Sequence, residues 1–298
     1  LCHRCIPKHY NLPLANYAEP YDDLAVTTPT SPVLLDDAKS HGTSTFFGET
    51  TIILKNPIFL GATFGLAAFT FTMNGMISFA PAILIGFGLM DESIASTAFG
   101  ALVVVAGLVG APASGYLQDM LCRGRESDRY FRLRSAALQL TVLITTGVAL
   151  LLVSLACMRS KIVFFALLFT GFLCVFATQT VTTIVLLMCV DQSHRGFAMG
   201  LSTFLLHLFG DIPAGVVLGA LKDFWAPHCG SKSDASGKDI LDPKCHLDKD
   251  GLRYTLAFAY GWLLWCVLCY GFAFIVACKW YQEAKAKAGT PRHGLMCS

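Results

Sequence analysis

Charge is what this sequence has least of. Asp, Glu, Lys and Arg make up 14% of its 298 residues, against roughly 25% in soluble domains, which excludes a chain whose surface faces mainly water. The formal net charge is only +2. That is too mild for a nucleic-acid partner, and the basic residues stand beside apolar stretches rather than in one patch. Enzyme signatures are missing as well: there is no Gly-x-Ser-x-Gly, no His-Glu-x-x-His, and no pair of carboxylates on separate apolar segments, so no enzyme is expected. Cys2-His3-Arg4-Cys5 has the spacing of half a zinc knuckle and lacks the other half, so neither a metal site nor a cofactor is expected. The first fifty residues are polar and irregular and offer no signal-peptide core. At the other end Leu295-Met296-Cys297-Ser298 leaves one residue after the cysteine, which is not a prenylation box.

What is present is apolar length. Hydrophobic residues reach 54% and mean hydropathy +0.58. Six stretches, at 57–84, 94–118, 133–157, 162–190, 197–221 and 254–278, exceed the roughly 20 residues that a membrane-crossing helix needs. Their Phe, Leu, Val, Ala and Gly content shows no strict alternation, which predicts helices rather than barrel strands. The expected fold class is all-α, a polytopic membrane bundle of six transmembrane helices. Residues 1–50 read as a tether, with Thr27-Thr28-Pro29-Thr30-Ser31-Pro32 as its most loop-like part; 51–282 form the bundle and 283–298 a tail. Arg123, Arg125, Arg129, Arg132 and Arg134 follow the second stretch, while 86–93 carries no basic residue, so both chain ends are assigned to the cytoplasm. The loop 224–253 then lies on the opposite side. It holds Cys229 and Cys245, which either close a disulfide or stand as two free thiols.

The fifth stretch contains an acid, Asp211, where a carboxylate is expensive unless it faces protein, a cavity or an ion path. His207 precedes it by four residues, so the two share a helix face. A conformational change that alters their hydration can move a proton between them, which makes them candidates for proton relay or coupling. Pro213 withholds a backbone donor, and Gly210 and Gly215 flank it, a combination that predicts a hinge. The competing reading is a polar pair that pins this helix to its neighbour. Asn74, Gln179 and Thr182 are polar residues inside other stretches, candidates either for a central cavity or for interhelical hydrogen bonds.

Two signatures carry a family resemblance. Gly115-Tyr116-Leu117-Gln118-Asp119, followed by Arg123-Gly124-Arg125, resembles the Gly-x-x-x-Asp-x-x-x-Arg loop motif of the major facilitator superfamily. Asp191-Gln192-Ser193-His194-Arg195-Gly196, then His207-Leu208-Phe209-Gly210-Asp211-Ile212-Pro213, then Gly219-Ala220-Leu221-Lys222-Asp223, is similar to helix 11 of its Spinster-like branch. In that branch an Arg, here Arg195, opens the helix at the cytoplasmic side. Asn74-Gly75-Met76-Ile77-Ser78-Phe79-Ala80-Pro81-Ala82 resembles helix 7 of the same branch. The resemblance implies that the six stretches are helices 7 to 12 and that the first six-helix half, a partner in the fold, is absent from this chain. It further implies a secondary transporter working by alternating access on a small-molecule or lipid-like substrate, in several members with proton coupling, in an endolysosomal or plasma membrane. Asp119 with Arg123 or Arg125 would then latch the cytoplasmic gate. The alternative is a six-span channel subunit or membrane scaffold acting as an oligomer. Membrane lipids are expected partners under either reading.

Overall fold

A computed structural model describes residues 46–289 apart from residue 126 and residues 234–238. The tether over 1–45, the end of the tail from 290 and the Cys2 and Cys5 pair lie outside the described residues. The chain runs through α1 (Phe46–Leu54), α2 (Pro57–Gly86), α3 (Glu92–Leu121), α4 (Arg129–Ala156), α5 (Lys161–Cys189) and α6 (Arg195–Leu206). A π turn (His207–Asp211) joins α6 to α7 (Ile212–Trp225). After β1 (Ser231–Ser233), β2 (Asp239–Leu241) and a 3-10 turn (Pro243–Asp248) come α8 (Lys249–Trp262) and α9 (Leu264–Gly289).

Six helical segments among the described residues are long and apolar enough to cross a membrane. They are α2, α3, α4, α5, the α6–π–α7 unit and the α8–α9 unit. Each coincides with an apolar stretch expected from the sequence, α4 and α5 stopping one residue short of it at Ala156 and Cys189, and each extends past its stretch at one end or both, because caps and polar residues carry helices beyond the hydrocarbon. Asn56 caps α2, its Oδ1 accepting the N–H groups of Ile58 at 3.0 Å and Phe59 at 3.2 Å, with Pro57 at the first helical position. Asp128 caps α4 by accepting from the Phe131 N–H at 2.9 Å. Two features were not foreseen: the short α1, which begins within the stretch read as tether and crosses its end at residue 50, and the helical continuation of α9 into the tail. The loop over 224–253 also carries structure of its own, an antiparallel hairpin pairing Ser231 with Leu241 and Ser233 with Asp239.

Lipid tails are as apolar as leucine, so close backbone approach and interhelical hydrogen bonds hold such a bundle together rather than flight from water. The contacts follow that rule. A Cβ on Gly110 of α3 would sit 2.7 Å from the Leu173 carbonyl oxygen of α5, and one on Gly147 of α4 would sit 3.2 Å from the Gly171 oxygen of α5. Phe59, Phe71, Phe164, Phe172, Tyr260 and Tyr270 are fully buried in the core between these helices. Polar ties add to them: Thr72 Oγ1 donates to the Ala259 carbonyl at 3.1 Å, and Gln139 Nε2 donates to the Ser114 carbonyl at 2.8 Å.

Candidate functional site

The fifth span departs from regular helix where its sequence is most polar. Over His207–Asp211 the backbone opens into a π turn, with the Ile212 N–H donating to the His207 carbonyl. Pro213 accounts for this: it has no N–H to give, and in a regular helix its ring presses on the carbonyl four residues earlier, a crowding that one extra residue in the turn relieves. The expected hinge is therefore a π turn within a continuous span.

The π turn sets the side chains. His207 Nδ1 is hydrogen-bonded to Asp211 Oδ2. The His207 side chain is 59% exposed and that of Asp211 28%, so the pair lies on an open face of this chain. Asn74 reaches it from α2, its Nδ2 3.4 Å from the Asp211 carbonyl oxygen and 3.5 Å from Oδ1. A Cβ on Gly210 would meet the Ala67 carbonyl oxygen at 2.6 Å and Thr70 Cβ at 3.1 Å. The missing side chain is thus what lets the turn sit against α2 and Asn74 reach the acid. Gly215 has no atom within 4 Å of where its Cβ would lie, so it packs against nothing among the described residues. One turn before the pair, Thr63 Oγ1 and Ser202 Oγ are 3.1 Å apart and tie α2 to α6. The arrangement is an acid and a base in contact, steadied by an amide from a second helix, near the middle of a span.

The other expected residues fall elsewhere. Thr182 is fully buried and its hydroxyl lies 3.2 Å from that of Tyr270, an α5–α9 tie rather than part of the open face. Gln179 is half-buried on α5, and no hydrogen bond among the described residues links it to the pair. Arg195 is half-buried at the start of α6, and its Nε has no hydrogen-bond partner among the described residues. Gly115 packs 3.4 Å from Thr180 Cγ2. Asp119, Arg123 and Arg125 are exposed. The expected pairing of Asp119 with Arg123 or Arg125 is not made; Arg125 instead lies 4.7 Å from the centre of the Phe131 ring.

The cation that does engage at that end is Arg129, which the sequence identified only as a marker of topology. Its Nη2 donates to the carbonyls of Met188 at 2.8 Å and Val190 at 2.9 Å, and its Nη1 stands 3.7 Å from Asp191. Asn56 Nδ2 donates to the Cys189 carbonyl at 2.7 Å. The last carbonyls of α5, which have no partner within the helix, are so claimed by residues from two other helices, and a cation there also suits the helix dipole. Asp191 was the available signal, an acid directly after a long apolar run.

At the opposite end Cys229 and Cys245 form a disulfide with a Cα–Cα distance of 4.4 Å. Lys222, with only 12% of its side chain exposed, donates to the Cys229 carbonyl at 3.1 Å. Asp248 accepts from the His228 backbone N–H at 2.8 Å and lies 3.1 Å from its ring. The last apolar helical unit begins at Lys244, but Lys244, His246, Asp248, Lys249, Asp250 and Arg253 keep its first turns out of hydrocarbon. In this polar setting the His228 N–H, and then the nearby ring, hold the Asp248 carboxyl below its ordinary value.

Comparisons with known proteins point one way. The model of the Organic Anion Transporter Polypeptide (OATP) family matches residues 152–236. The chain is 28% identical over 184 residues to the "probable sphingolipid transporter spinster homolog 2" of Arabidopsis thaliana, across 62% of this chain and 36% of that protein. It is 28% identical over 204 residues to homolog 3 of the same plant, across 68% of this chain and 38% of that protein. It therefore spans well under half the length of these relatives. Among solved structures, a bacterial homologue of the human lysosomal transporter Spinster, inward-facing and unoccupied, superposes with a TM-score of 0.58 at 15% identity, covering 87% of this chain and 53% of that one. About half of the neighbour is covered. The chain is similar in sequence to Spinster-like transporters and shares the fold of the bacterial Spinster homologue over the part of that architecture it spans.

Proposed function

We propose that this chain supplies six helices of a secondary active transporter, and that His207, Asp211 and Asn74 form its coupling element. The observation that carries the reading is the His207–Asp211 bond within a π turn at mid-span, braced by Asn74 from another helix. An acid and a base in contact on an open face can pass a proton when the face is covered and uncovered. A π turn, one residue wider than an α-helical turn, is a local irregularity that a helix can shift or release. Alternating access is the motion that would cover and uncover it, against the remaining helices of the fold. Asp119, Arg123 and Arg125 are exposed, where they can latch onto those helices at the cytoplasmic end. The plant relatives are named as probable sphingolipid transporters, and a lipid-like solute is the substrate class proposed here, in a multi-pass protein of an endolysosomal or plasma membrane.

The test is flux in liposomes containing the full-length transporter under an imposed pH gradient, with lysolipids, sugars and amino acids compared. Lysolipid uptake driven by the gradient is expected, with Asp211→Asn losing the pH dependence and Asn74→Ala weakening it. Uptake by Asp211→Asn at full rate with unchanged pH dependence would sink the coupling role. Uptake of sugars in preference to lysolipids would sink the substrate class.

A further inference from the structure

Two glutamines inside the bundle bring more acceptors than the protein meets with donors. Gln118 on α3 and Gln139 on α4 are 2% and 5% exposed. Gln118 Nε2 donates to the Arg132 carbonyl at 3.3 Å and to Cys122 Sγ at 3.2 Å, and Gln139 Nε2 donates to the Ser114 carbonyl at 2.8 Å. Both amide nitrogens are therefore placed. Both amide oxygens, Gln118 Oε1 and Gln139 Oε1, are buried with no hydrogen-bond partner among the described residues. Turning either amide round does not help, because it would set an oxygen against the carbonyl that now accepts from the nitrogen. The Ser114 hydroxyl is committed as well, donating to the Ala111 carbonyl at 2.9 Å.

This burial is the work of the chain's own helices. A segment added from outside covers these oxygens more deeply but does not reach them, so whatever meets them has to be small enough to lie between α3 and α4. Buried amide oxygens are costly without a donor, and native structures supply one. No group of three or more His, Cys, Asp or Glu that could hold a metal ion occurs among the described residues, and two neutral amides without a carboxylate do not make a site for a hard cation. Ser114 and Gln118 lie one turn apart on the same face of α3, which brings the two amides, one from each helix, together in the seam. A water molecule has two O–H groups, one for each oxygen, and buried waters sit where polar groups lack other partners.

We propose that a bound water lies in the α3–α4 seam and donates to Gln118 Oε1 and Gln139 Oε1. It ties the two helices at the foot of the loop that carries Asp119, Arg123 and Arg125. The site does not depend on the coupling role of His207 and Asp211, and each can fail without the other.

Brief X-ray irradiation of the full-length transporter in nanodiscs converts water into hydroxyl radicals that oxidise the side chains beside which they form, and peptide mapping reads each residue separately. Cys122 is the reporter, since it is 4% exposed and its sulfur stands 3.2 Å from the Gln118 amide nitrogen. Cys266 is the control, a fully buried thiol that donates to the Gly65 carbonyl at 3.1 Å. The expected result is oxidation of Cys122 well above that of Cys266. Gln118→Leu/Gln139→Leu, which removes both acceptors and keeps apolar bulk in the seam, should lower Cys122 oxidation to the level of Cys266. Gln139→Leu alone leaves Gln118 and its bonds in place, so it is the milder test of folding, and it should lower the oxidation part of the way. Oxidation of Cys122 no greater than that of Cys266 in wild type overturns the proposal. So does oxidation of Cys122 that Gln139→Leu leaves unchanged, since the radicals then come from bulk water at the cytoplasmic edge or from a water that serves Gln118 alone.

Discussion

Replacing Gly210 by alanine places a methyl carbon 2.6 Å from the Ala67 carbonyl oxygen and 3.1 Å from Thr70 Cβ. The oxygen belongs to the α2 backbone, which cannot swing aside as a side chain would, so the π turn must lift off α2. Overpacking of this kind costs about 1–3 kcal/mol. Alanine returns roughly 0.5–1 kcal/mol through its lower backbone entropy. Asn74, already 3.4 and 3.5 Å from its two acceptors on Asp211, would lose them at a further cost of about 0.6 kcal/mol. The net expectation is a destabilisation of about 1–2 kcal/mol. Gly215→Ala is the internal control: it lies five residues on in the same span and meets no atom within 4 Å, so only the entropic gain of about 0.5–1 kcal/mol applies. Reversible unfolding in mixed micelles with rising sodium dodecyl sulfate, followed by circular dichroism, should separate the two variants by about 2 kcal/mol with opposite signs relative to wild type. If Gly210→Ala proves as stable as Gly215→Ala, the close approach at the π turn is wrong, and the placement of Asn74 beside Asp211 falls with it.

Arg129→Ala should destabilise the same unfolding transition by about 1 kcal/mol, the value of charged hydrogen bonds discounted for a side chain that is 48% exposed. Arg129→Lys should recover less than half of that, because an ammonium cannot fork across two carbonyls; full recovery would refute the clamp on α5. Cys245→Ser removes a disulfide of sequence separation 16 and should cost about 3 kcal/mol, with reductant bringing wild type down to the same midpoint and leaving the variant unmoved. The Asp248 carboxyl, held below its ordinary value of about 3.9 by the His228 N–H, adds stability that is complete above that value and lost as pH falls through the lower folded one. Protease protection of the loop around His228 should therefore persist at about pH 5 and vanish only in stronger acid; loss between about pH 7 and 5 would contradict the assignment.

Hydrophobic length made the six spans legible, because the bilayer sets a minimum that few other structures imitate. The loop motif and the residues around His207 and Asp211 carried the likeness to a Spinster-like protein for the same reason: charges inside or beside a membrane are rare and costly. Less was legible where structure depends on contact between distant segments. Pro213 and Gly210 predicted a weak point in the fifth span, yet a π turn differs from a hinge only in how the freed carbonyls find partners. Asn74 could not be told from Gln179 or Thr182 by sequence. The structure separates them, because α2 meets the π turn at Gly210 whereas Thr182 faces Tyr270. Arg129 looked like one of five arginines in a row of topology markers, and only the end of α5 folded beside it distinguishes it.

The most direct measurement is infrared difference spectroscopy on the full-length transporter in liposomes through a pH step. If His207 and Asp211 exchange a proton, a protonated-carboxyl band should appear in wild type, vanish in Asp211→Asn and shift in Asn74→Ala, whose lost amide changes the hydrogen bonding of the acid. The same band in Asp211→Asn, or none in wild type at any pH that supports transport, would contradict the coupling role of the pair.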